Sequence, residues 1–212
     1  MKNIFKIIFA VYLILFSTTF LQARKGKGYS KNLELVFRKL KRKKYYAPSK
    51  SILQKIDKYD RYIKYFASLS YTRYGFNVNP DYIRALIAAE SAGDPRAVSK
   101  DGAIGLTQIM YASAKTYVKE LAETKFNFKY IDEKKLRNFK KQYLYDPAIN
   151  ILLCAYITDL NNGKFGGNLA TTVAAWNAGQ YAVYKYEGIP PYDETLTLIT
   201  KVSDYLEYFQ SN

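Results

Sequence analysis

Glu90 interrupts the apolar pattern of a predicted amphipathic helix. Ile83, Leu86 and Ile87 recur at the spacing of one buried helix face, and Glu90 follows three residues after Ile87 on the same face. Desolvation of a carboxylate there is expected to raise its pKa toward neutral pH, which suits a general acid. The alternative is a half-exposed glutamate at the helix end or one paired with a buried base, although a negative charge near a helix C-terminus is unfavourable with the helix dipole.

The composition limits the chemistry that the chain can perform. The 212 residues include no histidine and one cysteine, Cys154. The missing imidazole excludes Ser-His-Asp and Cys-His nucleophile systems, and no metal site of the usual zinc type is expected. A single cysteine cannot form an intrachain disulfide, and Cys154 in the run ILLCAYI is interpreted as a small buried residue. Catalysis must therefore use carboxylates, hydroxyls, lysine or tyrosine.

The apolar spacing and the positions of proline and glycine predict an all-α body with loops that enter a cleft. One core-facing helix is expected from Ser51 to near Gly75. Further helices are predicted at residues 80–92, 106–121, 147–160 and 169–178, and a last one from the prolines at 190–191 to about Phe209. Residues 123–145 are expected to form a lysine-rich excursion with partial helix, and strands to be nearly absent.

Charge and hydropathy separate the N-terminus from this body. Residues 1–23 have two lysines, an apolar run and a Leu-Gln-Ala end, which is typical of a signal peptide. An uncleaved membrane anchor is the alternative, although the apolar run, at about 15 residues, is short of the roughly 20 that a spanning helix prefers. Residues 24–50 are predicted to be a basic flexible arm with a short helix at 32–43, and residues 51–212 the folded domain.

The basic charge is concentrated in and near this arm. Residues 24–73 hold sixteen Lys and Arg against three acids, whereas residues 74–212 hold fifteen of each. The exported, periplasmic location predicted by the signal peptide favours electrostatic contact of the arm with anionic envelope polymers or lipid, and no nucleic-acid partner is expected. A solvated linker or a charged helix face without a specific partner is the alternative.

Several motifs in order resemble one enzyme family. Residues 90–110 read ESAGDPRAVSKDGAIGLTQIM, followed by DP at 146–147, NI at 150–151, AAWNAG at 174–179 and PYDET at 191–195. This order resembles the soluble-type lytic transglycosylases, which cleave bacterial peptidoglycan and share a lysozyme-like all-α fold with a substrate cleft. The resemblance covers residues from about 57 to 208.

The resemblance also implies roles for individual residues. It identifies Glu90 as the catalytic acid and then base, Ser91 as an orienting neighbour, and Gln108, Trp176 and Asn177 as residues of the sugar groove. Gly102, Gly105 and Gly179 are expected to allow close backbone approach, and Glu194 to be structural. Ordinary alternatives exist for four of them: Ser91 could cap a helix end, Gln108 could lie on the surface, Asn177 could end a helix, and Glu194 could be an acid that favours the start of a helix.

This sequence departs from the family pattern at four places. Thr107 stands where Met is usual, Tyr111 where Pro often follows, Trp176 in place of Tyr, and Leu198 where Tyr is frequent. The excursion at 123–145 is also longer than the usual connection and has no assigned role.

The implied reaction breaks the β-1,4 bond between N-acetylmuramic acid and N-acetylglucosamine and leaves a 1,6-anhydromuramoyl end, without a metal or an organic cofactor. Peptidoglycan glycan strands are the implied partner. A hydrolytic muramidase on the same fold is the close alternative, because only the attacking nucleophile differs. A non-catalytic peptidoglycan-binding protein and a cationic membrane-active protein are the alternatives from other classes.

Overall fold

The computed structural model describes residues 45–72, 76–124 and 127–211. They form two compact units: the large unit contains residues 45–160 and 201–211, and the small unit contains residues 161–200. Among the described helices, none has both the length and the apolar character that crossing a membrane requires. The signal peptide predicted at residues 1–23 and the helix predicted at 32–43 lie outside the described residues.

The large unit begins with two short helices, α1 (Lys50–Asp57) and α2 (Asp60–Ala67). The prediction of one continuous helix to near Gly75 is therefore wrong. The chain turns after Asp57, and beyond α2 the backbone N–H groups of Tyr71 and Thr72 donate to the carboxylate of Asp159, at 3.1 and 2.8 Å. These bonds to a side chain distant in sequence replace the intrahelical bonds that a longer helix would need.

Helix α3 (Pro80–Ser91) has the ends that the sequence predicts. The Asn79 side chain accepts a hydrogen bond from the backbone N–H of Asp81, with Pro80 at the first helical position. Arg84 forms ion pairs with Asp81 in the same helix and with Asp60 of α2. The apolar face of α3 is fully buried in the large unit.

A two-stranded antiparallel ribbon, β1 (Ala103–Ile104) and β2 (Ile109–Met110), precedes α4 (Tyr111–Ala122). The helix predicted to start near Leu106 therefore starts five residues later. Gly105 and Gln108 adopt positive φ angles of 82° and 53°, which are incompatible with a right-handed helix.

The excursion contains the partial helix that was predicted, as α5 (Glu133–Arg137) and a 3₁₀ helix (Lys141–Tyr145). Helix α6 (Pro147–Phe165) then begins where predicted, with the Asp146 carboxylate accepting from the backbone N–H of Ala148 at 3.0 Å, but it ends five residues later than predicted. Its residues 148–159 are all buried.

Three helices remain: α7 (Leu169–Ala178), α8 (Gln180–Lys185) and α9 (Asp193–Ser211). The bounds of α7 agree with the prediction, α8 was not predicted, and α9 begins two residues after the prolines. Residues 201–211 of α9 belong to the large unit, where the backbone N–H of Tyr46 donates to Asp204 at 2.9 Å. The all-α prediction is confirmed for the described residues.

Candidate active site

Glu90 lies in the last turn of α3 and is half-buried. Ile83 and Ile87, on the same helix face, are fully buried, as the apolar pattern predicts. Burial raises the pKa of the Tyr82 phenol well above its usual value, and the nearby charge of Glu90 raises it further. Burial also raises the pKa of the Cys154 thiol to about 12, again with a contribution from Glu90. The Glu90 carboxyl is therefore close to the core of the large unit, and Cys154 is the neutral buried residue that was predicted.

The end of α3 is anchored by the residue next to Glu90. The Ser91 hydroxyl donates to the backbone carbonyl of Leu106 at 2.7 Å and to that of Ile87 at 3.3 Å. Ala92 then ends the helix in the left-handed conformation, with a φ of 51°. Ser91 thus joins the catalytic candidate to the loop 105–108, which carries Gln108.

Gln108 holds its own loop in a strained conformation. Its side-chain amide donates to the carbonyls of Gly105 at 2.8 Å and Ala97 at 3.2 Å, and its φ of 53° is uncommon for a residue other than glycine. Such strain persists only where surrounding contacts enforce it, and it often accompanies a functional position. Gln108 is half-buried, so part of its side chain remains accessible.

Asn150 of α6 fixes the same loop from the other side. Its side-chain oxygen accepts from the Thr107 backbone N–H at 3.0 Å and from the Thr107 hydroxyl at 2.7 Å. Its side-chain nitrogen donates to the carbonyls of Ile104 at 3.1 Å and Leu144 at 3.0 Å. Asn150 and Thr107 are completely buried, so these four bonds form a closed polar cluster beneath the loop.

Sequence reasoning missed this role of Asn150 and treated Thr107 only as a departure from the family. The signal that could have found it is the one that singled out Glu90, since Asn150 is a polar residue in the apolar run AINILLCAYI. Buried polar side chains require hydrogen-bond partners. The partners could not be predicted because Thr107 is 43 residues away in sequence.

Of the three glycines predicted to allow close backbone approach, Gly105 lies against other atoms of the described residues. A Cβ there would lie 2.4 Å from both the Asn150 side-chain nitrogen and the Leu144 carbonyl oxygen. At Gly102 and Gly179, by contrast, no atom lies within 4 Å of the Cβ position, and only their positive φ angles of 85° and 83° favour glycine.

Gly105→Ala is expected to destabilise the protein by about 2 kcal/mol more than Gly102→Ala. Both substitutions place alanine at a positive φ, so their conformational cost is similar, but only the alanine at 105 overlaps neighbouring atoms. Urea denaturation of the two variants gives the difference directly. Equal losses would show that the loop relaxes around the added methyl group.

In the small unit, hydrogen bonds connect the motif at residues 174–179 with the motif at residues 191–195. Asn177, in the last turn of α7, accepts a hydrogen bond from the Thr195 hydroxyl at 2.5 Å and donates one to Glu194 at 3.5 Å. Thr195 is fully buried and Glu194 is exposed in the first turn of α9. These bonds orient the Asn177 amide, while Trp176 beside it is half-buried. Trp176, Asn177, Gly179 and Glu194 therefore lie in the small unit, and Glu90, Ser91, Gly102, Gly105 and Gln108 lie in the large unit.

Within the described ranges, no group of three or more Cys, Asp or Glu side chains is arranged to hold a metal ion. A cavity of about 220 Å³ lies between the end of α4 and α5. None of the predicted site residues lines it, so it is not assigned to the candidate active site.

Comparison with known proteins places these features in one family. The sequence model described as Transglycosylase SLT domain matches residues 69–196, which include every predicted site residue. The membrane-bound lytic murein transglycosylase C of Edwardsiella ictaluri is 32% identical over 120 residues, which are 53% of this chain and 30% of that protein. The chain thus spans less than a third of this relative.

Solved structures agree with this comparison. The 70-kDa soluble lytic transglycosylase SLT70 of Escherichia coli is 25% identical, with a TM-score of 0.57 over 73% of this chain and 25% of that one. Its complex with bulgecin A gives 26% identity and the same TM-score and coverage. A third structure, an inactive mutant of Slt from Pseudomonas aeruginosa, is 22% identical and has a TM-score of 0.52. The match covers 76% of this chain and 24% of that one and shows a similar fold.

Proposed function

Because the chain belongs to the transglycosylase SLT domain family, we propose that it is a bacterial peptidoglycan lytic transglycosylase with Glu90 as its acid and base. The observation that carries the proposal is the position of Glu90. It is half-buried at the end of a helix whose next residue, Ser91, is bonded to the loop of Gln108. General acid catalysis requires a carboxyl in a fixed position, because proton transfer depends on short and well-directed contacts, and the bonds of Ser91 fix the backbone next to Glu90.

The proposed reaction uses one carboxyl group in two steps. Glu90 donates its proton to the β-1,4 glycosidic oxygen as the bond to the muramoyl anomeric carbon breaks, and the muramoyl N-acetyl group stabilises the positive charge that develops. The Glu90 carboxylate then takes the proton of the muramoyl 6-hydroxyl, whose oxygen bonds to the anomeric carbon. Glu90 ends protonated as it began, no water is consumed, and the product is a 1,6-anhydromuramoyl end.

The remaining site residues are proposed to hold the glycan strand. Gln108 would contact a sugar through the accessible part of its side chain, since its amide nitrogen already bonds two backbone carbonyls. Asn177, oriented by Thr195, would hydrogen-bond a sugar, and Trp176 would stack on a sugar face. Glu194 is proposed to support Asn177 from the start of α9.

Digestion of purified peptidoglycan in water labelled with heavy oxygen tests the reaction type. A lytic transglycosylase incorporates no solvent oxygen, so the released muropeptides are expected to be unlabelled and to carry anhydro ends. A hydrolytic muramidase places one labelled oxygen on each new reducing end. Labelled products would therefore contradict the proposed mechanism while leaving the assignment of Glu90 open to its own test.

The location and the arm are part of the proposal. We propose that residues 1–23 direct export to the periplasm and that the basic residues of the arm hold the enzyme near anionic envelope polymers or lipid. The curated relative, described as membrane-bound, is consistent with an enzyme that acts at the envelope.

Removal of residues 24–44 is expected to weaken binding to insoluble peptidoglycan at low salt and to leave cleavage of a short soluble glycan unchanged. Residues 45–50 are retained because Tyr46 bonds to Asp204 in the large unit. Cosedimentation at low and high salt, together with a soluble-substrate assay, measures both effects. Loss of soluble-substrate cleavage would show instead that the arm is required for folding or catalysis.

A further inference from the structure

Two rings of the excursion and the first residue of α4 form a row of half-exposed aromatic side chains. Tyr111 stacks on Phe139, with ring centroids 6.0 Å apart and planes inclined by 28°, and Phe139 contacts Tyr143 at 6.3 Å. None of the three rings is buried in the core. Tyr111 occupies the position where the family often has proline, and the other two rings belong to the excursion.

Lysines border the row of rings. The Lys115 ammonium lies 5.2 Å from the centroid of Tyr111, and the Lys135 ammonium lies 5.8 Å from that of Tyr143. Lys140 and Lys141, directly after Phe139 in sequence, are exposed. We name Tyr111, Lys115, Phe139, Lys140, Lys141 and Tyr143 the basic aromatic face.

The positive charge of this face is not neutralised by neighbouring acids. Residues 127–145 contain six Lys and Arg and two acids, Asp132 and Glu133. Asp132 caps α5, and Glu133 pairs with Arg137 at 3.1 Å. Lys135 is paired with Asp146, but Lys115, Lys140 and Lys141 form no ion pair with any of the described residues. The face therefore favours an anionic ligand.

Two members of the basic aromatic face are next to residues that contact the loop of the candidate site. The Leu144 carbonyl accepts from Asn150, which also accepts from the Thr107 backbone N–H. That carbonyl also lies against Gly105, where no Cβ would fit. Tyr111 begins α4 only three residues after Gln108. The backbone next to Tyr111 and Tyr143 is therefore fixed to the loop that carries Gln108.

We propose that the basic aromatic face binds the peptide-bearing part of a peptidoglycan strand outside the cleavage site. The lysines would pair with the free carboxylates of the peptides attached to muramic acid, and the rings would pack against sugar faces and aliphatic groups. This inference rests on the proposed function, since the same strand occupies the active site. It assigns a substrate-recognition role to the excursion.

Binding of soluble glycan strands to the non-cleaving Glu90→Gln protein tests the proposal without depending on turnover. Strands that retain their peptides are compared with the same strands after an amidase has removed them. Adding Lys140→Ser and Lys141→Ser is expected to weaken binding of peptide-bearing strands about fivefold at low salt and to leave peptide-free strands unaffected. The matched control, Lys55→Ser with Lys58→Ser, removes the same charge from exposed positions of α1 and its end and should change neither affinity.

The rings are tested in the same assay. Phe139→Leu is expected to weaken binding of both kinds of strand about threefold, whereas Tyr62→Leu, in a separate aromatic contact with Tyr130, should have no effect.

The proposal is overturned if the lysine variant binds peptide-bearing strands normally or loses affinity equally for both kinds of strand. Competition tests the choice of ligand. The choice is overturned if a soluble phosphate polymer displaces the peptide-bearing strands and free peptides do not. If the proposed reaction is wrong, this is seen in a separate experiment, the digestion in labelled water, where the wild-type enzyme would give labelled products or none.

Discussion

Glu90→Gln is expected to reduce peptidoglycan cleavage about a thousandfold, because glutamine keeps the shape of glutamate but cannot donate or accept the proton. The proposed mechanism uses the carboxyl in both steps, so no other group compensates for its loss. Release of soluble muropeptides from purified peptidoglycan measures the effect. The melting temperature should change little, since the side chain is only half-buried and the substitution preserves its volume.

Glu123→Gln is the matched control for this substitution. Glu123 is an exposed carboxylate at the end of α4 and belongs to the same unit, so the same chemical change should leave cleavage intact. Similar activity of the Glu90 and Glu123 variants would remove Glu90 from the mechanism. Loss of activity accompanied by unfolding would instead assign Glu90 a structural role.

Asn150→Ala is expected to destabilise the protein by about 4 kcal/mol, because several buried polar groups lose their partners together. The Thr107 backbone N–H and hydroxyl and the carbonyls of Ile104 and Leu144 all bond to this one side chain. Each buried group left unsatisfied costs about 1–3 kcal/mol. Urea denaturation at neutral pH gives the change in the free energy of unfolding.

Two control variants show whether the loss of stability comes from this polar cluster or from removing any asparagine. Asn138→Ala removes an exposed side chain with one long bond of 3.4 Å to the Lys134 carbonyl and should cost less than 0.5 kcal/mol. In Thr107→Val the hydroxyl is lost but the backbone N–H bond to Asn150 remains, so an intermediate cost is expected. An Asn150 variant as stable as wild type would contradict the account of how the loop is held.

Local signals in the sequence were sufficient for most of the helices and for Glu90. The bounds of α3 and α7 follow from their caps and apolar spacing, and Glu90 is visible as a carboxylate on an apolar face. Two of the helices whose bounds were predicted wrongly end or begin where distant side chains hold the chain. The chain beyond α2 is held by Asp159, and the start of α4 is delayed by the loop that Asn150 fixes.

The same reasoning explains which parts of the candidate site the sequence could reveal. Ser91 and Gln108 were found through their motif, but their bonds to the carbonyls of Leu106 and Gly105 exist only in the folded loop. The stacked rings of Tyr111 and Phe139 lie 28 positions apart in sequence, and their pairing follows from the return of the excursion against α4. Contacts of this kind depend on tertiary structure and leave no periodic pattern.

The central claim is that Glu90 drives a cleavage in which the muramoyl 6-hydroxyl, and not water, is the nucleophile. The most direct measurement is the mass of the muropeptides released from purified peptidoglycan by the wild-type protein, with Glu90→Gln examined in parallel. Products lighter by one water than the corresponding lysozyme products are expected from the wild-type protein, and almost none from the variant. Products of the full hydrolytic mass, or the same products from Glu90→Gln, would contradict it.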